Sequence, residues 1–201
     1  MIAQYYGAKD RKKIKELLGT AYLISIIIGI VSVIVVCTTS DIWLKILNTP
    51  EEVFKVTKEY LIFNTIGYMF DLILVDIMEA LRAIGNTKTP LIFATITSVL
   101  NIILDPIFIK IGYGVVGTAI ATMISIFVGM VIEVIYIHKK SDFLKIDYKY
   151  LRFNKDYIKQ IIKLGFPITF EDIFIAIVAI FSVNISNSAG IIGSAAYGIR
   201  R

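Results

Sequence analysis

Five stretches of the chain are each long and apolar enough to cross a lipid bilayer, and this property limits the folds open to it. A bilayer core about 30 Å thick is spanned by about 20 apolar residues of α-helix. Windowed hydropathy marks residues 17–37, 60–81, 90–109, 115–137 and 165–183. Backbone N–H and C=O groups find no water inside lipid, so each stretch must close its own hydrogen bonds as a helix. Hydrophobic residues make up 57% of the 201 and charged ones 18%, outside the balance of soluble domains. The expected fold class is therefore an all-α integral membrane protein with about five transmembrane helices. Basic residues precede the first span, as in a signal peptide. Its apolar core is too long for one, however, and TTSD at 38–41 offers no small-residue cleavage site.

Charge between the spans alternates. Lys9, Arg11, Lys12, Lys13 and Lys15 precede the first span, and Arg82 and Lys88 lie between the second and third. Lys139, Lys140, Lys145, Lys149, Arg152, Lys155, Lys159 and Lys163 lie between the fourth and fifth. The opposite side carries only Lys45, Lys55, Lys58 and Lys110, with Arg200 and Arg201 at the end. Basic residues stay on the cytoplasmic side, so the expected topology is amino terminus cytoplasmic and carboxyl terminus outside, in the plasma membrane. The formal charge of +5 follows topology, so no nucleic-acid partner is expected.

Little in the sequence suits catalysis. Cys37 and His138 are the only residues of their types, which excludes a disulfide framework and a metal-ligand cluster. No GxSxG, Walker-type loop, HExxH or CxxC occurs, and GVVG at 114–117 lacks the strand–turn–helix setting of a phosphate loop. A membrane transferase would need acids in the 38–59 loop, where only Asp41, Glu51 and Glu52 occur. The expectation is no enzyme, no cofactor and no metal.

Local signals set the connections. Thr49, Pro50 and Glu52 in TPEE read as N-cap, first helical residue and capping-box partner of a helix running into the second span. Asn154 reads as the cap of a helix through KDYIKQIIK, with Tyr157, Ile158, Ile161 and Ile162 on one face and lysines opposite, suited to the headgroup plane. Gly117, Ala121, Ser125 and Gly129 recur every four residues, a stripe that lets helix backbones approach closely in lipid.

A carboxylate at mid-bilayer costs about 2.5–3.5 kcal/mol on insertion scales, so it faces a partner or a watery cavity. Thr97, Asn101 and Asp105 form a polar stripe on the third span, with Asp105 about 22 Å along the helix from Pro90. Pro106 removes a backbone hydrogen bond there and favours a kink. Asp71 sits near mid-span without a basic neighbour, and Asp76 follows it. Glu79 has Arg82 three residues on as an ion-pair partner. Glu133, near Lys139 and Lys140, reads as interfacial. Glu171 and Asp172 follow Pro167 within the fifth span, and one of them is expected to face a cavity.

Taken in order, several segments resemble the multidrug and toxic compound extrusion (MATE) family of cation-coupled efflux transporters. They are AQYYGAKD at 3–10, PEEVFKVTKEYL at 50–61, EALRAIGNTKTP at 79–90, LNIILDPIFI at 100–109, GVVGTAIATMIS at 114–125, KLGFP at 163–167 and AGIIGSAAYGI at 189–199. The resemblance implies a two-lobe, twelve-helix transporter of which this chain supplies helices three to seven. Residues 1–137 would be a partial first lobe, 138–163 a cytoplasmic linker between lobes, and 164–201 the start of the second lobe. The remaining helices of the same transporter, membrane lipid and a small organic substrate are the implied partners. The implied activity is efflux of organic, cationic drugs or metabolites by antiport with Na⁺ or H⁺. The alternatives are a lipid-linked saccharide flippase of related architecture and a non-transporting membrane fragment. By resemblance, Asn101 and Asp105 of the NxxxDP motif bind the coupling ion, Tyr60 and Thr122 line the same cavity, and Glu171 stands as a second-lobe cavity acid. Asp71 is outside the family pattern and stands as a further candidate cavity acid by its mid-span position alone. The family's first-helix Asp is not in this chain.

Overall fold

The computed structural model describes residues 1–188, with the side chains of Ile168 and Glu171 excepted. The motif at 189–199 lies outside the described residues. Helices α1 (Ile2–Gly7), α2 (Arg11–Ile46), α3 (Glu51–Ala83), α4 (Lys88–Phe108), α5 (Gly114–Lys140) and α6 (Lys155–Ser188) follow in order. Each expected span falls on one of α2 to α6. No strand occurs among the described residues.

Packing gives the topology. Ser25 meets Asp76, Gly29 meets Met69 and Asp41 meets Lys58, so α2 and α3 run antiparallel. Thr89 meets Tyr136, Thr97 meets Gly129, Asn101 meets Thr122 and Phe108 meets Gly117, so α4 and α5 also run antiparallel. The 53 residues from Lys88 to Lys140 are therefore two spans folded back on each other, not one long helix. The reversal is a π-type turn, Ile109–Tyr113, in which Gly112 takes φ +98° and Gly114 follows at φ +55°. Side chains disfavour that left-handed region, and glycine enters it freely. Gly67 faces Met123 and Phe70 stacks edge-on with Phe127, which makes α3 and α5 parallel neighbours. Helix α5 thus sits between α3 and α4, with α2 on the other side of α3.

The stripe on α5 does what its spacing implies. Gly117, Ala121, Ser125 and Gly129 are all buried. A Cβ on Gly129 would come within 2.1 Å of the Thr97 methyl, and one on Gly117 within 2.8 Å of Phe108 Cβ. Ser125 returns its hydroxyl to the Ala121 carbonyl, so the stripe buries no unpaired donor.

The two ends of the bundle differ. The end holding the amino terminus, the α3–α4 turn and residues 141–154, here the basic end, contains the main apolar core. Ile14, Leu18, Ile77, Leu81, Ile137 and Leu144 are each at most 4% exposed there. Residues 141–154 pack on α2 as a strap. A Cβ on Gly19 would lie 2.0 Å from the Tyr150 carbonyl oxygen, and Thr20 donates to the Arg152 carbonyl at 3.1 Å. Ion pairs Lys15–Asp147 (3.7 Å) and Arg152–Glu16 (3.8 Å) line the same contact. At the far end, Lys58 donates to Asp41 at 2.7 Å, joining α3 to α2.

Two local expectations change. Helix α3 begins one residue later than TPEE implies, with Pro50 as its N-cap and no side-chain capping bond. Thr49 is committed elsewhere: its N–H bonds the Leu44 carbonyl, and Asn48, at φ +51°, bonds Lys45, closing α2 in a Schellman motif. Glu51 and Glu52 still occupy the first turn of α3, where the helix dipole favours them. Asn154 does cap α6, its Oδ1 accepting from the Asp156 N–H at 3.0 Å. The amphipathic stretch is continuous with the fifth span as one bent helix, however. Its arms, Lys155–Pro167 and Asp172–Ser188, meet at 51° just past Pro167. Tyr157 is buried, Ile158 and Ile161 are half-buried, and Ile162 remains 60% exposed.

Candidate ion-binding site

Three of the four residues expected at the ion site come together between α4 and α5. Helix periodicity puts Asp105 one turn beyond Asn101 on the same face. The Asn101 amide donates to Asp105 Oδ1 at 3.2 Å and to Thr122 Oγ1, on α5, at 3.1 Å. Thr122 passes its own proton to the Thr118 carbonyl at 2.9 Å, which leaves the hydroxyl oxygen free to accept from Asn101. Asn101 thus donates through its amide nitrogen to both partners, and its carbonyl oxygen accepts no hydrogen bond among the described residues. The Asn101 and Asp105 side chains are half-buried. Hard oxygen donors of this kind suit Na⁺ or a proton.

The other candidates lie elsewhere. Tyr60, half-buried on α3, makes no hydrogen bond among the described residues. Thr97 shares the stripe but turns its hydroxyl back to the Phe93 and Ala94 carbonyls and its methyl toward Gly129, so it serves packing. Asp71 is half-buried with no hydrogen bond or ion pair among the described residues. Asp172 is exposed, and the Glu171 side chain lies outside the described residues. Helix α4 continues through Pro106 to Phe108 before the turn. Glu79 pairs with Arg82 as expected.

A second polar region lies toward the basic end. A cavity of about 440 Å³ opens between α1, α2, α3 and α6, with Ala21, Ser25, Asp76, Ile161 and Leu164 in its wall. Ser25 donates to Asp76 Oδ2 at 2.6 Å. Glu133 overturns the interfacial reading: it is 0% exposed and pairs with neither Lys139 nor Lys140. The sequence did carry a signal for this. The stripe at 117, 121, 125 and 129 continues to 133 and 137, and all six positions are buried.

Residues 1–107 match the family profile MatE. The chain is 30% identical over 210 residues to the probable multidrug resistance protein YoeA of Bacillus subtilis, covering 99% of this chain and 45% of that protein. It therefore spans about half the length of the curated relatives it matches. Among solved structures, an inward-facing multidrug resistance MATE family transporter of the MOP superfamily superposes with TM-score 0.87 at 25% identity, covering 96% of this chain and 44% of that one. An outward-facing MATE structure gives 0.80 at 24% identity, covering 98% and 44%. Apolar helices, ordered motifs and profile agree, and the chain belongs to the MatE family as a multi-pass membrane protein.

Proposed function

We propose that the chain forms part of a secondary transporter that exports organic, cationic compounds in exchange for Na⁺ or H⁺, without a cofactor and without enzymatic chemistry. The observation that carries this reading is the Asn101 amide bridging Asp105 on α4 to Thr122 on α5. A neutral arm tethers a single carboxylate across two packed helices, so an ion bound there senses their separation. Residues 1–137 act as part of one lobe, 138–163 as the cytoplasmic connection, and 164–201 as the start of the other. The amino terminus is cytoplasmic, in the plasma membrane. The name of the B. subtilis relative supports a drug-like substrate. Asp71, Asp76 and Asp105 supply negative charge within the helices, which suits a cation and repels the anionic headgroup a flippase would carry.

At the far end, Asn184 and Asn187 of α6 donate to the Ile46 and Leu47 carbonyls at 2.6 and 2.7 Å. That contact joins α6 to the end of α2.

The test is ion-driven efflux of a fluorescent organic cation from proteoliposomes, with a twelve-helix protein carrying this segment. Asp105→Asn preserves abundance and abolishes dependence on the ion gradient, and Asn101→Ala weakens it less. Normal transport with unchanged ion dependence in Asp105→Asn would make the carboxylate structural. Orientation is read separately from a cysteine at Tyr148, 86% exposed, in a Cys37→Ser background. It stays unlabelled by an impermeant thiol reagent in intact cells, and labelling there reverses the topology.

A further inference from the structure

Glu133 is the one fully buried acid among the described residues, and both its carboxylate oxygens lack a hydrogen-bond partner there. Its surroundings are apolar on most sides. Ile137 follows it on α5, and Leu74, Ile77 and Phe93 belong to the same packed cluster. From α3, Arg82 lies within coulombic reach, but its guanidinium is already held by Glu79. From α2, the Tyr22 hydroxyl is also buried without a hydrogen-bond partner, and it lies within coulombic reach of both Glu133 and Asp76. Asp76, bonded to Ser25, stands in the wall of the 440 Å³ cavity. On α4, Thr89 pairs with Tyr136 and Thr97 bonds its own helix. His138, on α5 itself, is exposed and turned to the Val134 carbonyl.

A bare carboxylate in such a place is costly, and such groups are neutralised instead. Among the described residues the basic group within its coulombic reach is Arg82, which is paired with Glu79, so a proton is the smallest remedy. We propose that Glu133 is a second proton-binding site, separate from Asn101–Asp105–Thr122. The proton comes from water, ends on a Glu133 carboxylate oxygen and returns to water, so nothing else is consumed. An infrared measurement tests this site without transport, so its failure is distinct from failure of the efflux reading.

The experiment is infrared titration of the 201-residue chain in lipid nanodiscs, following the stretch of a protonated carboxyl and its hydrogen–deuterium exchange. The expected result is a band that disappears as pH rises, is lost in Glu133→Gln and persists in Asp105→Asn. Labelling glutamate carboxyls with ¹³C moves the band in the unsubstituted chain, which keeps the test valid should Glu133→Gln misfold. Absence of a protonated glutamate band overturns the proposal, as does a band that persists in Glu133→Gln or that neither titrates nor exchanges.

Discussion

At the basic end, α2, α3, α4, α5 and the 141–154 strap bury a shared core, whereas toward the far end much of the apolar surface faces outward. Leu81 and Ile137 are 1% and 0% exposed, while Ile102 and Ile111 are 68% and 63% exposed. Both regions carry runs of large apolar side chains, so hydropathy alone does not tell which of those faces are buried. Lipid tails are as apolar as leucine, and burial against protein gains little by hydrophobicity alone there. The difference comes from packing devices: a docked strap and matched side chains at one end, and the Gly117–Phe108 approach with a few polar contacts at the other.

Removing core volume should break this comparison most visibly. Leu81→Ala is expected to destabilise the fold by about 2–5 kcal/mol, and Ile102→Ala by less than about 0.5 kcal/mol. Reversible denaturation in mixed micelles checks the pair, and equal effects would remove the distinction. Next comes Gly19→Ala, whose new methyl would collide with the Tyr150 backbone. Overpacking of this kind costs about 1–3 kcal/mol. It should also release the strap, read as faster proteolysis between residues 141 and 154.

A smaller effect is expected for the far-end contact. Hydrogen bonds between membrane helices contribute about 0.6 kcal/mol on average. Asn184→Ala with Asn187→Ala should therefore leave the fold intact and broaden the distance between spin labels at Ile42 and Ile180, measured by pulsed resonance. An unchanged distribution would mean that the far end is held by something else. The smallest effect concerns the start of α2, where Asp10 caps the helix by accepting from the Lys13 N–H at 3.1 Å. That bond holds the Asp10 carboxyl below its ordinary range. Its contribution is thus present above the ordinary carboxylate value and lost as pH falls through the lowered one. Asp10→Asn should flatten that acid-side dependence in helix content followed by circular dichroism.

Much of this arrangement was legible in the residues. Spans, the α5 stripe, the Glu79–Arg82 pair, the Asn154 cap and the Asn101–Asp105 pairing all follow from spacing along a single helix. What spacing along one helix cannot give is which helix lies opposite. Ser25 meeting Asp76, and Asn184 and Asn187 reaching the end of α2, are contacts between distant segments. Glu133 was misread because proximity in sequence to Lys139 and Lys140 was weighed above the register of the stripe that contains it. Thr49 was misread because two helices compete for one residue, and the end of α2 claims it first.

The tight α4–α5 pair also bears on how the protein is made. Two spans joined by a five-residue turn, with Gly129 seated on Thr97 and Gly117 on Phe108, have few degrees of freedom to settle once both have emerged from the ribosome. A hairpin of this kind is suited to entering the membrane as one unit, its turn bearing the single charge of Lys110. Asn101 and Thr122 can then find each other before α6 has been synthesised, so the two halves of the candidate site are assembled together. A substitution that separates these spans would therefore reduce yield at biogenesis, ahead of any effect on a finished transporter.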